Sequence, residues 1–242
     1  MSYVKYILEK ILSIFFNIFF LLFPLRNINK KLSESIKLYK GEGFGEIFAK
    51  IRAWDAPYEI IDKLTPKNAK VVDLGCGDGL LANYLALSST KRKIYGIDIN
   101  KDRISRAQKG IKNTKFETGD ILKIKKIKPD VLVMAHVLHH LPTKNKQLAL
   151  LKNISNQLKK NKQLIILEID KKPALKYLFT YITDAIIVPV LFEKKLFDLN
   201  FHYRSSSEWK KILTSLGFDI KTKSIHKGMP FSHVLIYGKK VA

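Results

Sequence analysis

The sequence predicts an α/β fold with a doubly wound, mostly parallel sheet that is covered by helices on both faces. Three observations predict it: strand-like apolar runs alternate with helix-like stretches, a glycine-rich bend follows the first run, and two strand-like segments close the chain. With 242 residues and 46% hydrophobic content, the chain can bury one large core without metals or disulfides. Its single cysteine, Cys76, allows no intrachain disulfide and indicates an intracellular setting.

The elements before the fifth strand follow a regular order. A helical stretch at 46–63, interrupted by Pro57, precedes the first strand, "KVVDL". The next four strands are predicted at 93–98, 115–118, 130–135 and 163–169. Helices are predicted between them at 79–88, 101–111 and 144–159. This alternation indicates a parallel sheet.

The end of the chain has a different composition. Residues 173–197 form an apolar stretch of one or two helices, part of a lid insertion at 173–204, although a cap that buries only its own core is the alternative. A helix at 205–218 follows, with Ser207 as the predicted N-cap and Gly217 as the predicted C′ residue. Two last strands, near 219–224 and 232–238, flank "KGMP" and predict an antiparallel pair.

The first 25 residues differ from the rest. Polar side chains recur every fourth position and line one helical stripe, at Lys5, Glu9, Ser13 and Asn17. The apolar run after Asn17 is shorter than the roughly 18 residues of a spanning helix. We expect an amphipathic helix at 1–32 that lies on a membrane through residues 1–25, ahead of one catalytic domain at 33–242. There are two alternatives: the segment crosses the membrane once, or it forms a helix that packs on the domain or on a second subunit.

The charge balance favours anionic partners. There are 44 Lys and Arg against 21 Asp and Glu, which gives a formal net charge of +23. Such an excess attracts nucleic acid or acidic lipid headgroups. The lysines are scattered and no compact arginine-rich block occurs, so the charge is equally explained by a general compositional habit.

Glycines and acids mark one edge of the predicted sheet. Asp73 ends the first strand, and the loop "GCGDG" then turns into a helix and leaves bare amides for a ligand. The pattern lacks the Lys-Ser/Thr of a phosphate-binding loop and does not match GxGxxG. Asp98 ends the second strand, and Asp120 follows the third. Because parallel strands end at the same edge, the three acids should meet in one crevice, where carboxylates suit a cationic ligand better than a pyrophosphate.

Four motifs together resemble those of the class I S-adenosylmethionine-dependent methyltransferases, in their small-molecule and lipid branch. They are "VVDLGCGDG", "YGIDIN", "TGDI" and "DVLVMAHVLHHLP", and the resemblance covers roughly residues 45 to 238. It implies a seven-stranded, Rossmann-like sheet whose last strand is antiparallel. It implies S-adenosyl-L-methionine as the cofactor and no metal. It also implies cofactor contacts from Asp73, Gly75, Cys76, Gly77, Asp98, Ile99, Asp120, Ile121, Ala135 and His136.

Histidines supply the candidates for proton transfer. The run "HVLHHLP" offers His136, His139 and His140 as catalytic residues on the rim where similar enzymes bind acceptors, although His139 also suits a structural loop role. His202 and Tyr203 are further candidates for substrate contact, and Arg204 could hold an anionic group. A solvated loop is the alternative for these last three.

The acceptor class is narrowed by motifs that do not occur. No (Asp/Asn/Ser)-Pro-Pro-aromatic stretch follows the fourth strand, and Cys76 lies inside the cofactor loop, so the signatures of DNA base methylation are missing. We therefore expect methylation of a small hydrophobic or lipid-like acceptor at the inner face of an anionic membrane. An RNA methyltransferase that uses the basic surface is the alternative, and a degenerate, non-catalytic binding fold is a third.

Overall fold

The computed structural model describes residues 27–187, 201–226 and 231–241, together with Ile14 and Ile18. The strands in these ranges are β1 Lys70–Leu74, β2 Lys93–Asp98, β3 Thr114–Thr118, β4 Val131–Ala135, β5 Gln163–Ile169, β6 Phe218–Ile225 and β7 His233–Lys240. They form one sheet in the order β3-β2-β1-β4-β5-β7-β6. The first five strands pair in parallel, and β7 is antiparallel to both β5 and β6. The predicted seven-stranded sheet is confirmed.

Helices cover both faces of this sheet. The described helices are α1 Lys30–Lys37, α2 Phe44–Asp55, α3 Tyr58–Leu64, α4 Leu80–Ser88, α5 Lys101–Ala107, α6 Lys144–Gln157, α7 Ala174–Ile182 and α8 Ser206–Ser215. Short 3₁₀ turns lie at Ile121–Lys123 and Leu138–His140, and α7 continues into a π turn at Thr183–Ile187. Pro57 separates α2 from α3, as the sequence predicted.

The core is divided by the sheet into two hydrophobic layers. Successive side chains of a strand point to opposite faces, so Val133 of β4 packs with Leu32 of α1 and Leu85 of α4 in one layer. Its neighbours Leu132 and Met134 pack in the other layer with residues of α6 and α8. Both layers bury the central strands, which explains why β4 and β5 are continuous apolar runs.

Two predicted helix ends differ from the structure. The N-cap of α8 is Ser205, so the prediction of Ser207 is wrong. Ser205 forms a capping box: its amide donates to Glu208 Oε2 over 2.7 Å, while its hydroxyl accepts from the Glu208 amide over 3.3 Å. The helix predicted at 101–111 ends at Ala107 because Gln108 is extended. Gly217 follows the C-cap of α8 with a φ of +79°, as predicted.

Some predictions fall outside the described residues. The amphipathic helix of residues 1–25 does so apart from Ile14 and Ile18, which are helical and largely exposed. Residues 188–200 of the lid insertion and the "KGMP" segment at 227–230 are also outside. None of the helices in the described ranges combines the length and the apolar character that crossing a bilayer requires.

Candidate active site

The glycine bend lies at the carboxyl end of β1, where it is tied to β2. The amides of Gly75 and Cys76 both donate to the carbonyl of Ile97, over 2.7 and 3.0 Å. Gly75 has a φ of +73°, and a Cβ placed on it would lie 2.5 Å from Cγ2 of Val137. A side chain therefore fits at Gly75 neither conformationally nor sterically.

Asp98 shapes the second half of the bend. Its Oδ2 accepts a hydrogen bond from the amide of Gly77 over 2.9 Å, and its Oδ1 accepts one from the amide of Asn100 over 2.9 Å. Carboxylate oxygens can accept more than one hydrogen bond each. Asp98 is thus fixed by backbone donors while keeping lone pairs for a pair of ligand hydroxyls.

Asp73 carries an unsatisfied buried oxygen. Its side chain is buried, and its Oδ2 has no hydrogen-bond partner among the described residues. Burial raises the pKa of this carboxyl to about 7, and the nearby charge of Asp98 adds to the rise. A cationic ligand group would satisfy the oxygen and favour its ionised form. The residues of the bend thus fit a ligand that brings positive charge.

The surface next to Asp98 is apolar. Ile99, directly after Asp98, has 72% of its surface exposed. Asp120 caps the following 3₁₀ turn by accepting from the amide of Leu122 over 2.9 Å, and Ile121 is buried behind it. The half-buried thiol of Cys76 has a pKa raised by burial, so it stays protonated. An exposed isoleucine beside a carboxylate fits a nucleoside, with the apolar surface for the base and the acid for the ribose.

His136 follows Ala135 at the end of β4 in a strained conformation. Its φ is +57°, a region that non-glycine residues rarely adopt. The ring is buried, its Nε2 has no partner among the described residues, and burial holds its pKa well below the ordinary value, with the Arg52 charge adding to this. His136 is therefore a neutral imidazole beside the glycine bend.

His139 is held by a buried carboxylate. Its Nδ1 donates to Oε2 of Glu168 over 2.6 Å, while Oε1 of Glu168 accepts the amides of Val137 and Leu138 over 3.0 and 2.7 Å. Burial alone lowers the pKa of His139, but the charge and hydrogen bond of Glu168 outweigh it and raise the pKa overall. The Nε2 atom lies 3.8 Å from Oδ2 of Asp184. This is the arrangement of an imidazole oriented for proton transfer.

Aromatic rings surround His139 on the side of α7. Tyr203 stacks on it with ring centroids 5.1 Å apart and donates from its hydroxyl to Asp184 Oδ2 over 2.6 Å. His140 is exposed, and its ring lies 4.1 Å from that of His139. The aromatic cluster, as we call it below, consists of Tyr177, Tyr181, Phe201, Tyr203, His139 and His140.

His202 and Arg204 lie beside Tyr203 but make contacts within the protein. His202 Nε2 lies 2.7 Å from the carbonyl of Pro142, and the His202 amide donates to the carbonyl of His139 over 3.0 Å. Arg204 Nε donates to Oε1 of Gln147 over 2.8 Å, and its guanidinium lies over the ring of Trp209. Both side chains thus anchor the loop that carries Tyr203, a contribution that the sequence did not indicate.

Sequence reasoning also missed residues that support the bend. Asp78, inside "GCGDG", is buried and pairs with Arg106 at 2.8 Å. The hydroxyl of Tyr39 donates to the Asp78 carbonyl over 2.6 Å, so the turn that follows α1 braces the loop. Glu168 was missed as well, although it lies near the carboxyl end of β5, and the strand-end rule applied to Asp73 and Asp98 would have found it.

Comparison with known proteins identifies the family of this chain. Residues 65–217, more than half of the chain, match the family model described as "Methyltransferase domain". The chain belongs to this family. Among curated proteins, no sequence matches the methyltransferase.

Three solved structures illustrate the likeness of fold. The methyltransferase is 21% identical to a S-adenosylmethionine-dependent methyltransferase from Methanosarcina mazei, with a TM-score of 0.59 over 75% of this chain and 97% of that one. It is 17% identical to DhpI in its SAH complex, with a TM-score of 0.62 over 87% and 95% of the two chains. It is 14% identical to an O-methyltransferase family protein from Burkholderia thailandensis, with a TM-score of 0.64 over 85% and 62%. The predicted fold, enzyme class and cofactor agree with these findings.

Proposed function

We propose that this methyltransferase transfers the methyl group of S-adenosylmethionine to a hydrophobic or lipid-like small molecule at an anionic membrane surface. The observation that carries the proposal is the apolar face of α7. Leu175, Leu178, Phe179 and Ile182 are 83%, 55%, 51% and 45% exposed. Their spacing of three and four residues places them on one side of the helix. Leaving such a stripe in water is unfavourable, which supports a role in binding apolar material.

The position of α7 connects this stripe to the chemistry. Tyr177 and Tyr181, on the same helix, belong to the aromatic cluster around His139. A molecule that leaves a bilayer along α7 would meet an aromatic wall before it reaches the histidines. Pockets for apolar ligands are commonly lined in this way, with few polar groups to fix orientation.

Charge supports an anionic membrane as the surface. The net charge of +23 attracts acidic headgroups, and each lysine or arginine near such a surface contributes about 1 kcal/mol. The amphipathic helix expected for residues 1–25 would add a second apolar element. The proposed location is therefore peripheral, on the inner face of the membrane.

In the proposed reaction, different residues of the cleft bind the cofactor, remove a proton and align the acceptor. S-adenosylmethionine supplies an electrophilic methyl group on a sulfonium. Asp73 and the amides of the bend hold the methionine part of the cofactor, while Asp98 and Ile99 hold its nucleoside. His139, oriented by Glu168, removes the proton when the acceptor carries one. The aromatic cluster aligns the acceptor, and alignment supplies most of the acceleration in a displacement of this kind.

Transfer of a labelled methyl group tests the proposal. The protein is incubated with S-adenosylmethionine labelled on its methyl group, together with membrane lipid extract or with total RNA. We expect the label in the organic phase, and a strong loss of label with Asp73→Asn. Asp102→Asn, an exposed acid on α5, serves as the control. Label found in RNA alone would favour the RNA alternative, and an absence of label in both fractions would contradict the proposed function.

Vesicle binding tests the membrane surface separately. Leu178→Glu combined with Phe179→Glu should greatly reduce sedimentation with vesicles containing phosphatidylglycerol. Lys152→Gln combined with Lys159→Gln is the matched control, because it lowers the net charge by the same two units at exposed positions without removing apolar surface. Equal losses in the two double variants would assign binding to charge alone and contradict a role for the α7 stripe.

A further inference from the structure

A second group of buried polar residues lies next to the glycine bend. Asp55 ends α2, His136 follows β4, and His233 begins β7. All three side chains are buried, and each offers a donor atom within 4.8 Å of the other two. Three distant parts of the chain thus converge on one point.

Two nitrogens in this group lack a partner. Nε2 of His233 donates to Oδ1 of Asp55 over 2.7 Å, which leaves its Nδ1 without a hydrogen-bond partner among the described residues. Nε2 of His136 is also unsatisfied, and the two imidazole centroids are 4.9 Å apart. An unsatisfied buried polar atom costs about 1–3 kcal/mol. A bound cation would accept the lone pair of His136 Nε2 and would lie between His233 Nε2 and Asp55 Oδ1 in place of their hydrogen bond.

We propose that Asp55, His136 and His233 form a metal site for Zn²⁺ or a similar first-row cation. Two imidazoles and a carboxylate are a donor set for catalytic zinc, which keeps a further coordination position open. Metal–ligand bonds of about 2.0–2.2 Å require the three groups to close by roughly 1 Å. Asp55 Oδ1 is the third direct ligand, and it gives up its present hydrogen bond to Nε2 of His233 when both atoms bind the cation.

Among the ion pairs of the described residues, the cationic group that contacts this cluster is Arg52. Its Nη1 lies 3.6 Å from Oδ2 of Asp55, the oxygen that does not bond His233. A quarter of the Arg52 side chain is exposed, so it reaches Asp55 from the solvent side. A metal bound through Oδ1 of Asp55 leaves Oδ2 of the same carboxylate paired with Arg52.

The open position gives the metal a chemical role, which rests on the proposed function. The oxygen of an acceptor hydroxyl takes that position, where the cation lowers its pKa. Its proton passes to His139, whose ring centroid lies 6.4 Å from that of His136. The oxygen then forms the C–O bond as the C–S bond of the sulfonium breaks and leaves a neutral thioether. The inference therefore narrows the acceptor to a hydroxyl compound.

Zinc titration tests the site. The full chain is stripped with a chelator and titrated with Zn²⁺ against a chromophoric competitor. We expect one zinc per chain, with at least tenfold weaker binding in His136→Ala and His233→Ala and in the isosteric Asp55→Asn, because loss of even a supporting group typically costs about 10- to 100-fold in metal affinity. His202→Ala, which removes an imidazole bonded to the Pro142 carbonyl, should bind zinc like the wild type. Co²⁺ should give the visible bands of low-coordinate cobalt in the wild type only.

The outcomes separate the site from the proposed function. A wild-type chain that binds no stoichiometric zinc, or ligand variants that bind it unchanged, would overturn the metal site. Full methyl transfer by zinc-free protein would overturn the role of the metal while leaving the methyltransferase activity. Zinc binding without affinity for S-adenosylmethionine in calorimetry would support the site and contradict the proposed function. A cooperative thermal unfolding transition of each zinc-free variant shows that its fold is intact enough for comparison.

Discussion

His139 and Glu168 form a buried pair in which Nδ1 lies 2.6 Å from Oε2. The remaining oxygen of Glu168 accepts the amides of Val137 and Leu138, so the carboxylate fixes both the ring and the backbone that carries it. The loop after β4 is thereby locked to β5. Because the carboxylate fixes the tautomer, Nε2 is the nitrogen directed away from Glu168.

Replacing Glu168 with Gln should lower the pKa of His139. The carboxylate raises that pKa against the effect of burial, so its loss moves the pKa downward. Imidazole titration followed by NMR measures the shift directly. Methyl transfer should fall by on the order of 100-fold, and its rise with pH should move to lower pH, because the neutral base then forms earlier. Glu117→Gln, at an exposed position of β3, is the control. An unchanged titration of His139 would show that Glu168 acts only as a scaffold.

The sequence predicted the sheet well because its signals are local. Strands 93–98 and 163–169 match β2 and β5 to the residue, since short apolar runs bounded by turn residues leave little freedom. Cap positions were less accurate: Ser205 and Ser207 are both plausible caps, and the choice depends on which one has Glu208 three residues later.

The site was only partly predictable for a topological reason. Asp73 and Asp98 were found because each ends a parallel strand, and the carboxyl ends of such strands meet at one edge. His233 and Asp55 are 178 positions apart, and they meet because β7 is inserted beside β5. No periodicity or spacing in the sequence reports such a contact. Likewise, the contacts of Arg204 with Gln147 depend on how the loop crosses α6.

Asp73→Asn should weaken the binding of S-adenosylmethionine. Asp73 Oδ2 is unsatisfied without a ligand, and a hydrogen bond to a charged group contributes about 1.5–3 kcal/mol. We expect at least a tenfold increase in the dissociation constant by calorimetry, with Asp102→Asn unchanged. For the wild type, affinity should rise as the pH increases through about 7, where the carboxyl ionises. If the affinity were independent of pH in this range, the positive charge of the ligand would not lie next to Asp73.

The same carboxyl should make the ligand-free protein less stable as the pH rises. Its pKa in the folded state, about 7, is above its unfolded value, so the folded state binds more protons between these values. The free energy of unfolding therefore falls from about pH 4 toward pH 7. Asp73→Asn should remove this fall and stabilise the ligand-free protein at pH 8 by on the order of 2 kcal/mol. Urea denaturation at pH 5 and pH 8 measures the free energy of unfolding of both proteins. An equal change between the two pH values in the wild type and in Asp73→Asn would contradict this prediction.

Gly75→Ala should destabilise the protein more than Gly110→Ala does. Both glycines have a positive φ, +73° and +69°, so alanine at either position costs about 1–2 kcal/mol for the backbone alone. Nothing lies within 4 Å of a Cβ on Gly110, whereas a Cβ on Gly75 would lie 2.5 Å from Val137 Cγ2. The clash should add roughly 1–3 kcal/mol, measured as the difference in unfolding free energy between the two variants.

Val137→Ala provides the test of that cause. Combined with Gly75→Ala, it removes the two methyl groups that the new Cβ meets at 2.5 and 2.9 Å. The double variant should therefore lose less stability than the sum of the two single variants, because the residues are in direct contact. Calorimetry should also show weaker binding of S-adenosylmethionine by Gly75→Ala and not by Gly110→Ala. Additive stability losses would mean that the strain at Gly75 comes from its φ and not from Val137.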